Sequence, residues 1–163
     1  MESFRWIVLS YFIGAIPSGY IIGKVFYHVD LKKTGSGNIG ATNAYRELGV
    51  VAGFSVFICD FLKGFIAVHL GMPDPLIVLA CAIAAIVGND WSIFLHFKSG
   101  KGVACGVGAF AYISAPAVLC AFAVWLLVFK AKHIVSLSSI IAAPVVALVL
   151  LIEGASAEYV IFA

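Results

Sequence analysis

Charged residues are scarce in this sequence of 163 residues: Asp, Glu, Lys and Arg make up 11% of it, against about 25% in ordinary soluble domains. Hydrophobic residues make up 63%, and the mean hydropathy is +1.12. This composition excludes a soluble domain and indicates an integral membrane protein, with the lipid bilayer as its surroundings. The net charge of +2 does not support a nucleic-acid partner, because the basic residues lie in short loops between apolar runs.

Patterns for metal binding, disulfides and covalent catalysis are missing as well. The four cysteines lie in or beside apolar runs, and no two form a C-x-x-C pair: Cys59, Cys81, Cys105 and Cys120. No metal-spaced His/Cys cluster or Ser-His-Asp set can be assembled. We therefore expect no metal and no cofactor. The N-terminus also lacks a cationic segment and a cleavage site, so residues 6–25 are predicted to be a retained first span.

Long apolar runs predict an all-α, multi-span helical bundle, a single domain over residues 1–163 with about six transmembrane or partly spanning helices. The full-length runs are 6–26, 48–70, 76–94 and 134–152. Residues 102–114 reach only about 18 Å as a helix, too short to span upright. We predict that the chain breaks at Pro116 into a short helix and a further span; one long helix over 103–129 is the alternative. An apolar run begins at Tyr159 and stops at Ala163, so we expect a fragment or a lost last helix.

Basic residues follow the odd-numbered spans, which by the positive-inside rule places the N-terminus outside. Lys24, Lys32 and Lys33 follow the first run, and Lys98 and Lys101 follow the third. The loops that carry them are therefore predicted to face the cytoplasm. The break at Pro116 places the next basic cluster, 130–133, on that same side.

The most polar stretch of the chain runs from Lys33 to Arg46. It combines glycines with hydrogen-bonding side chains and two cations: Gly35, Gly37, Gly40, Ser36, Asn38, Thr42, Asn43, Lys33 and Arg46. Glycines let backbone N–H groups converge on an anion, so we predict a phosphate or oxyanion site; a flexible polar connector is the alternative. The match to G-x-G-x-x-G at 35–40 does not predict a dinucleotide site, because it follows an apolar span and not a strand.

A second basic, glycine-rich loop runs from Phe97 to Gly102, directly before the predicted short helix. A helix N-terminus carries unpaired N–H groups and partial positive charge, to which Lys101 adds a full charge. Gly100 and Gly102 flank this lysine, which alone would be an ordinary loop residue. Two such loops on one membrane face predict a shared anion site.

Asp60 and Lys63 lie inside the second run, three residues apart and thus on one helical face. A structural ion pair is one interpretation. In the other, Lys63 contributes to the anion site while Asp60 orients it. Asn89, near the end of the third run, is interpreted either as an interfacial cap or as a supporting residue of the site.

These segments resemble the PlsY-type acyl-phosphate:glycerol-3-phosphate acyltransferases of bacterial membranes. The likeness covers the whole chain and rests on residues 14–19, 35–46, 60–64 and 97–104. The resemblance implies seven helices, a cytoplasmic membrane location and a site facing the cytoplasm. It also implies transfer of a fatty acyl group from acyl phosphate to the 1-hydroxyl of glycerol 3-phosphate, the first acylation of phospholipid synthesis, without a cofactor or metal.

The resemblance assigns roles to positions that match the family motifs. Ser36, Arg46 and Lys101 are the expected catalytic residues. The expected substrate- and phosphate-binding residues are Gly35, Gly37, Asn38, Thr42, Asn43, Lys63, Gly100 and Gly102, with Asp60 and Asn89 in support. The expected partners are acyl phosphate and glycerol 3-phosphate, and self-association into a homo-oligomer stays open.

Three departures from the family pattern bear on activity. The third run ends in Gly88-Asn89 where the family has Gly-His, and an amide cannot exchange a proton near neutral pH. Ser99 replaces the first glycine of a pair, and relatives continue into a seventh helix and a His/Asn-bearing tail beyond Ala163. A relative that binds these substrates without catalysis is therefore the alternative, followed by a small transporter of a phosphorylated solute.

Overall fold

The fold is a bundle of helices, described over residues 2–163 in a computed structural model. The helices are α1 Glu2–Ala15, α2 Ser18–Phe26, α3 Ala41–Leu48, α4 Val50–Gly71, α5 Pro75–Asp90, α6 Val103–Ile113, α7 Ala115–Lys132, α8 Val135–Ile152 and α9 Ala157–Phe162, with a 3₁₀ turn at Ile93–Leu95. Five segments are long and apolar enough to cross a membrane: Ser3–Phe26, Val50–Gly71, Pro75–Leu95, Ala115–Lys132 and Val135–Ile152. With the shorter α6, they confirm the prediction of about six spanning or partly spanning helices.

Glycines let the central helices approach each other closely. A Cβ on Gly64 of α4 would lie 1.8 Å from the Cys105 carbonyl oxygen of α6, and one on Gly108 of α6 would lie 1.9 Å from the Phe61 oxygen of α4. Only glycine fits at both positions, and such contacts hold membrane helices together where the hydrophobic effect cannot. The α4–α6 pair is therefore fixed in register.

The first span is broken at Pro17, between α1 and α2, and the freed carbonyl groups have partners. The Ser92 hydroxyl donates to the Ala15 oxygen, and the Lys63 ammonium donates to the Ile16 oxygen at 2.5 Å. An unpaired carbonyl at membrane depth would cost several kcal/mol, on the order of a lost hydrogen bond in an apolar medium. The break thus ties the first span to α4 and to the segment after α5.

The break predicted at Pro116 is present but lies slightly earlier, at Ser114. Helix α6 ends at Ile113, and Ser114 caps α7 by accepting from the Ala117 N–H at 3.1 Å. Pro116 lies in the first turn of α7, where its missing N–H costs nothing. Pro116 is therefore compatible with the start of α7, and Ser114, as the N-cap, fixes the boundary between α6 and α7.

The polar stretch is more ordered than a loop, because its second half forms the short helix α3. Residues 41, 44, 45 and 48 repeat with helical spacing. Ala44 is fully buried in a cluster with Leu31, Ile39, Val56 and Leu95. This cluster fixes α3 and the preceding loop on the end of α4.

Candidate functional site

The loop between α2 and α3 is built around the side chain of Asn43. This amide is buried, and its Oδ1 accepts from the Ser36 N–H at 3.0 Å. Its Nδ2 donates to the carbonyls of Leu31, Thr34 and Asn38 at 3.3, 3.1 and 2.8 Å. Every polar atom of this side chain faces the loop, so the geometry shows a positioning contact for a residue that the sequence predicted to bind substrate.

The glycines of this loop meet a conformational and a steric demand. Gly35 and Gly37 have φ of +56° and +71°, in the left-handed region that side chains rarely adopt. A Cβ on Gly35 would lie 2.3 Å from the Asn43 Oδ1. The Asn38 Oδ1 accepts from the Gly40 N–H at 2.7 Å and shapes the turn into α3. The loop is thus held in one conformation from within.

Three of the side chains predicted to contact substrate remain open to ligands. Ser36, Thr42 and Arg46 are all exposed. Thr42 and Arg46 are four residues apart in α3 and therefore share a face. The rigid loop and α3 together present two hydroxyls and the Arg46 guanidinium, with the exposed Glu47 carboxylate beside Gly35.

The second loop is anchored on the end of α5. The Gly100 N–H donates to the Asn89 carbonyl at 3.0 Å, and a Cβ on Gly100 would lie 2.5 Å from the Asn89 Oδ1. Gly102 precedes α6 with φ of +63°, and a Cβ there would approach the Asp90 Oδ1 to 3.0 Å. Lys101 is therefore held, with its side chain exposed, at the start of α6.

The two loops lie at the same end of the bundle. The Lys32 Nζ donates to the Leu95 carbonyl at 3.4 Å, and Leu95 packs in the cluster that contains Leu31 and Ile39. These contacts join the segment before α3 to the segment between α5 and α6. Arg46 and Lys101 thus belong to elements that meet at one end.

Asp60 and Lys63 form a buried ion pair within α4. Their side chains are 11% and 7% exposed, and the Nζ–Oδ1 distance is 2.7 Å. The Lys63 ammonium also holds the Ile16 carbonyl, which gives it two partners inside the protein. Lys63 therefore has a structural role, as partner of the Asp60 carboxylate and the Ile16 carbonyl. A direct contact between Lys63 and an anion stays a prediction.

Sequence reasoning missed two features of this end of the molecule. Nothing in the sequence indicated that Asn43 points back into its own loop, because an amide next to glycines suits a ligand equally well. A cleft between residues 30–33 and 94–96 was also missed, because its walls are about 60 residues apart in the chain. Among residues 2–163, no group of three or more His, Cys, Asp or Glu side chains could hold a metal ion.

Fold and site together define a polytopic helical membrane protein with two rigid, basic, glycine-rich loops at one end of its bundle. Comparison with known proteins then assigns the family. The chain belongs to the glycerol-3-phosphate acyltransferase family, because the sequence model of that family matches residues 4–163.

Curated relatives carry the same description. Glycerol-3-phosphate acyltransferase 2 of Moorella thermoacetica is 41% identical over 158 residues, which cover 96% of this chain and 81% of the relative. The glycerol-3-phosphate acyltransferase of Lacticaseibacillus casei is 45% identical over 136 residues, which cover 81% of this chain and 66% of the relative. The similarity therefore extends through nearly the whole chain.

Solved structures show the same fold. The crystal structure of PlsY (YgiH), an integral membrane glycerol 3-phosphate acyltransferase, in its glycerol 3-phosphate form has a TM-score of 0.91 to this chain at 36% identity. The likeness covers 99% of this chain and 82% of that one. The lysophosphatidic acid form gives a TM-score of 0.89 at 34% identity. The predicted resemblance is thus confirmed.

Proposed function

We propose that this chain transfers a fatty acyl group from acyl phosphate to the 1-hydroxyl of glycerol 3-phosphate, which yields lysophosphatidic acid and phosphate. The observation that carries this proposal is the meeting of two basic, glycine-rich loops at one end of a membrane bundle. Both substrates are anions, and one has a lipid tail. A cationic site at the membrane surface is what such a pair requires.

Charge stabilisation is the main contribution that these residues can make. The hydroxyl oxygen of glycerol 3-phosphate attacks the acyl carbonyl carbon, the bond from that carbon to the phosphate oxygen breaks, and the hydroxyl proton leaves with the phosphate. Arg46 and Lys101 act together on both phosphates in one site, and the Ser36 hydroxyl hydrogen-bonds one of them. Positioning of this kind can supply a large part of a rate enhancement, about 7–11 kcal/mol of the barrier in favourable cases.

The remaining predicted residues support this arrangement. Asn43 and Asn38 hold the first loop, and Thr42 binds phosphate from the exposed face of α3. Asn89 supports the second loop through Gly100. We place the site on the cytoplasmic side of a bacterial inner membrane, because the basic residues cluster at this end of the spans.

A purified sample supplied with palmitoyl phosphate and glycerol 3-phosphate tests this function. We expect lysophosphatidate with palmitoyl phosphate and none with palmitoyl-CoA. Lys101→Ala should abolish most of the product, whereas Lys98→Ala, which changes an exposed lysine of the same loop, should retain it. Product formed equally by Lys101→Ala would contradict the proposal.

A binding-only relative is the second candidate, and Asn89 is the observation that favours it. The Asn89 amide packs against the backbone of Gly100 and cannot exchange a proton near neutral pH. Retained binding of glycerol 3-phosphate with no product from either acyl donor would establish this alternative.

A further inference from the structure

A second basic cleft lies at the loop-bearing end of the bundle, outside the proposed acyl-transfer site. It has a volume of about 290 Å³. Its lining combines polar and apolar residues: Asp30, Lys32, Lys33, His96, Tyr20, Phe94 and Leu95. Lys33, which the sequence grouped with Arg46 in one anion site, lines this cleft instead, whereas Ser36, Thr42, Arg46 and Lys101 do not line it. No step of the proposed acyl-transfer reaction uses this cleft.

The charge in the cleft is positive. Lys32 and Lys33 contribute two cations. Asp30 also lines the cleft, but its carboxylate lies 3.9 Å from the Lys24 ammonium and accepts from the Lys32 N–H at 3.1 Å. The negative charge of Asp30 is thus balanced by Lys24, which lies outside the cleft. The positive charges of Lys32 and Lys33 therefore remain to attract an anion.

The His96 wall of the cleft has an unfavourable backbone conformation. His96 and Phe97 have φ of +55° and +60°, in the left-handed region that non-glycine residues avoid. His96 is the left-handed cap that ends the 3₁₀ turn Ile93–Leu95, and Phe97 continues this conformation into the second loop. The turn they form places His96 in the cleft lining together with Lys32 and Lys33.

The depth of the cleft in the membrane indicates its occupant. Trp91, Phe94 and Phe97 are each more than half exposed and follow one another along the end of the third span. Exposed tryptophans such as Trp91 lie at the level of lipid headgroups, and the two exposed phenylalanines present apolar surface beside it. Phe94 also packs near Phe12 of the first span, with ring centroids 6.5 Å apart, so an apolar helix surface continues from the cleft toward the acyl chains.

We propose that this cleft binds the phosphate of an anionic phospholipid, whose headgroup contacts Lys32, Lys33 and His96 while its chains lie along the first span. The proposal does not depend on the acyl-transfer chemistry. It concerns a membrane lipid that remains bound and is not consumed.

Thermal unfolding in neutral phosphatidylcholine-containing micelles, titrated with dioleoylphosphatidylglycerol, tests the proposal. The apparent affinity is read from the lipid concentration that half-saturates the rise in unfolding temperature. A lysine next to the bound headgroup at the membrane surface contributes about fivefold to the binding of anionic lipid. The Lys32→Gln/Lys33→Gln variant should therefore bind phosphatidylglycerol about 25-fold more weakly.

A matched control exists elsewhere in the chain. Lys130 and Lys132 are exposed and precede His133 at the end of α7, so Lys130→Gln/Lys132→Gln removes the same charge without touching the cleft. This variant should keep the affinity within about twofold, since screened charges outside the cleft contribute little. Because the Lys32 ammonium also bonds the Leu95 carbonyl, the single variant Lys33→Gln provides a second test with an expected loss of about fivefold.

Glycerol 3-phosphate and inorganic phosphate, titrated in parallel, distinguish the source of the anion. The proposal predicts that stabilisation by either one is unchanged in the Lys33→Gln variant. Equal losses of phosphatidylglycerol affinity in the cleft variants and in the Lys130/Lys132 control would overturn it, as would no stabilisation by phosphatidylglycerol. Loss of stabilisation by free phosphate alone would also overturn it, because the cleft would then take a soluble ligand.

Discussion

The buried pair of Asp60 and Lys63 makes a quantitative prediction about stability. Lys63 holds both the Asp60 carboxylate, at 2.7 Å, and the Ile16 carbonyl at the break in the first span. Lys63→Met leaves the carboxylate buried without its partner. Removing one member of such a pair typically costs about 3–5 kcal/mol, so we expect a loss of that size in the free energy of unfolding.

The double variant Asp60→Leu/Lys63→Met should be more stable than Lys63→Met alone. It removes both charges and leaves only the Ile16 carbonyl unpaired, at a cost of about 1–3 kcal/mol. Replacing a whole buried pair by apolar residues is often neutral. The second substitution should therefore recover about 2 kcal/mol, the difference between the centres of the two ranges.

Unfolding titrations with SDS in mixed micelles, on the wild type, both single variants and the double variant, measure this coupling. Phe57→Leu, an uncharged change in the same helix, controls for general repacking. Additive losses in the double variant would refute the pairing argument. The acyl-transfer rate of the stable double variant would then report whether the Lys63 charge also serves the anion site.

Two further predictions concern packing and loop order. Gly64→Ala should destabilise the bundle by several kcal/mol, of the order seen for overpacking, because its Cβ would lie 1.8 Å from the Cys105 oxygen. The control Gly106→Ala, whose nearest contact is at 3.7 Å, should stabilise the bundle by about 0.5–1 kcal/mol. SDS unfolding measures both changes. Asn43→Ala removes the hydrogen bonds that hold the first loop and should raise the KM for glycerol 3-phosphate at least tenfold, about 1.4 kcal/mol, while an unchanged KM would contradict the positioning role.

The spans could be predicted because hydropathy alone determines them. The long apolar runs ended within a few residues of the observed helices, and the short run before Ser114 was recognised from its length. The position of the second break was less certain from sequence, since a proline in the first turn of a helix and one that interrupts a helix look alike. Ser114 settles it, because its hydroxyl caps α7.

The site could be predicted as a set of segments but not as a set of contacts. Glycines next to cations predicted an anion site on two loops, and the structure brings those loops to one end of the bundle, while anion binding itself stays a prediction. The direction of each side chain depends on tertiary contacts, as the inward-facing Asn43 shows. The same holds for α3, whose helical spacing was present in a stretch that its glycines and polar residues made look like a loop.

The central claim is that Arg46 and Lys101 form one anion site, and a binding cycle tests it most directly. Glycerol 3-phosphate affinity should be measured calorimetrically for the wild type, Arg46→Gln, Lys101→Gln and the double variant, with Lys98→Gln as the control. If both cations hold the same pair of substrates in one site, the two losses should be non-additive by at least about 0.5 kcal/mol. Strictly additive losses, or an affinity unchanged in either single variant, would contradict the account.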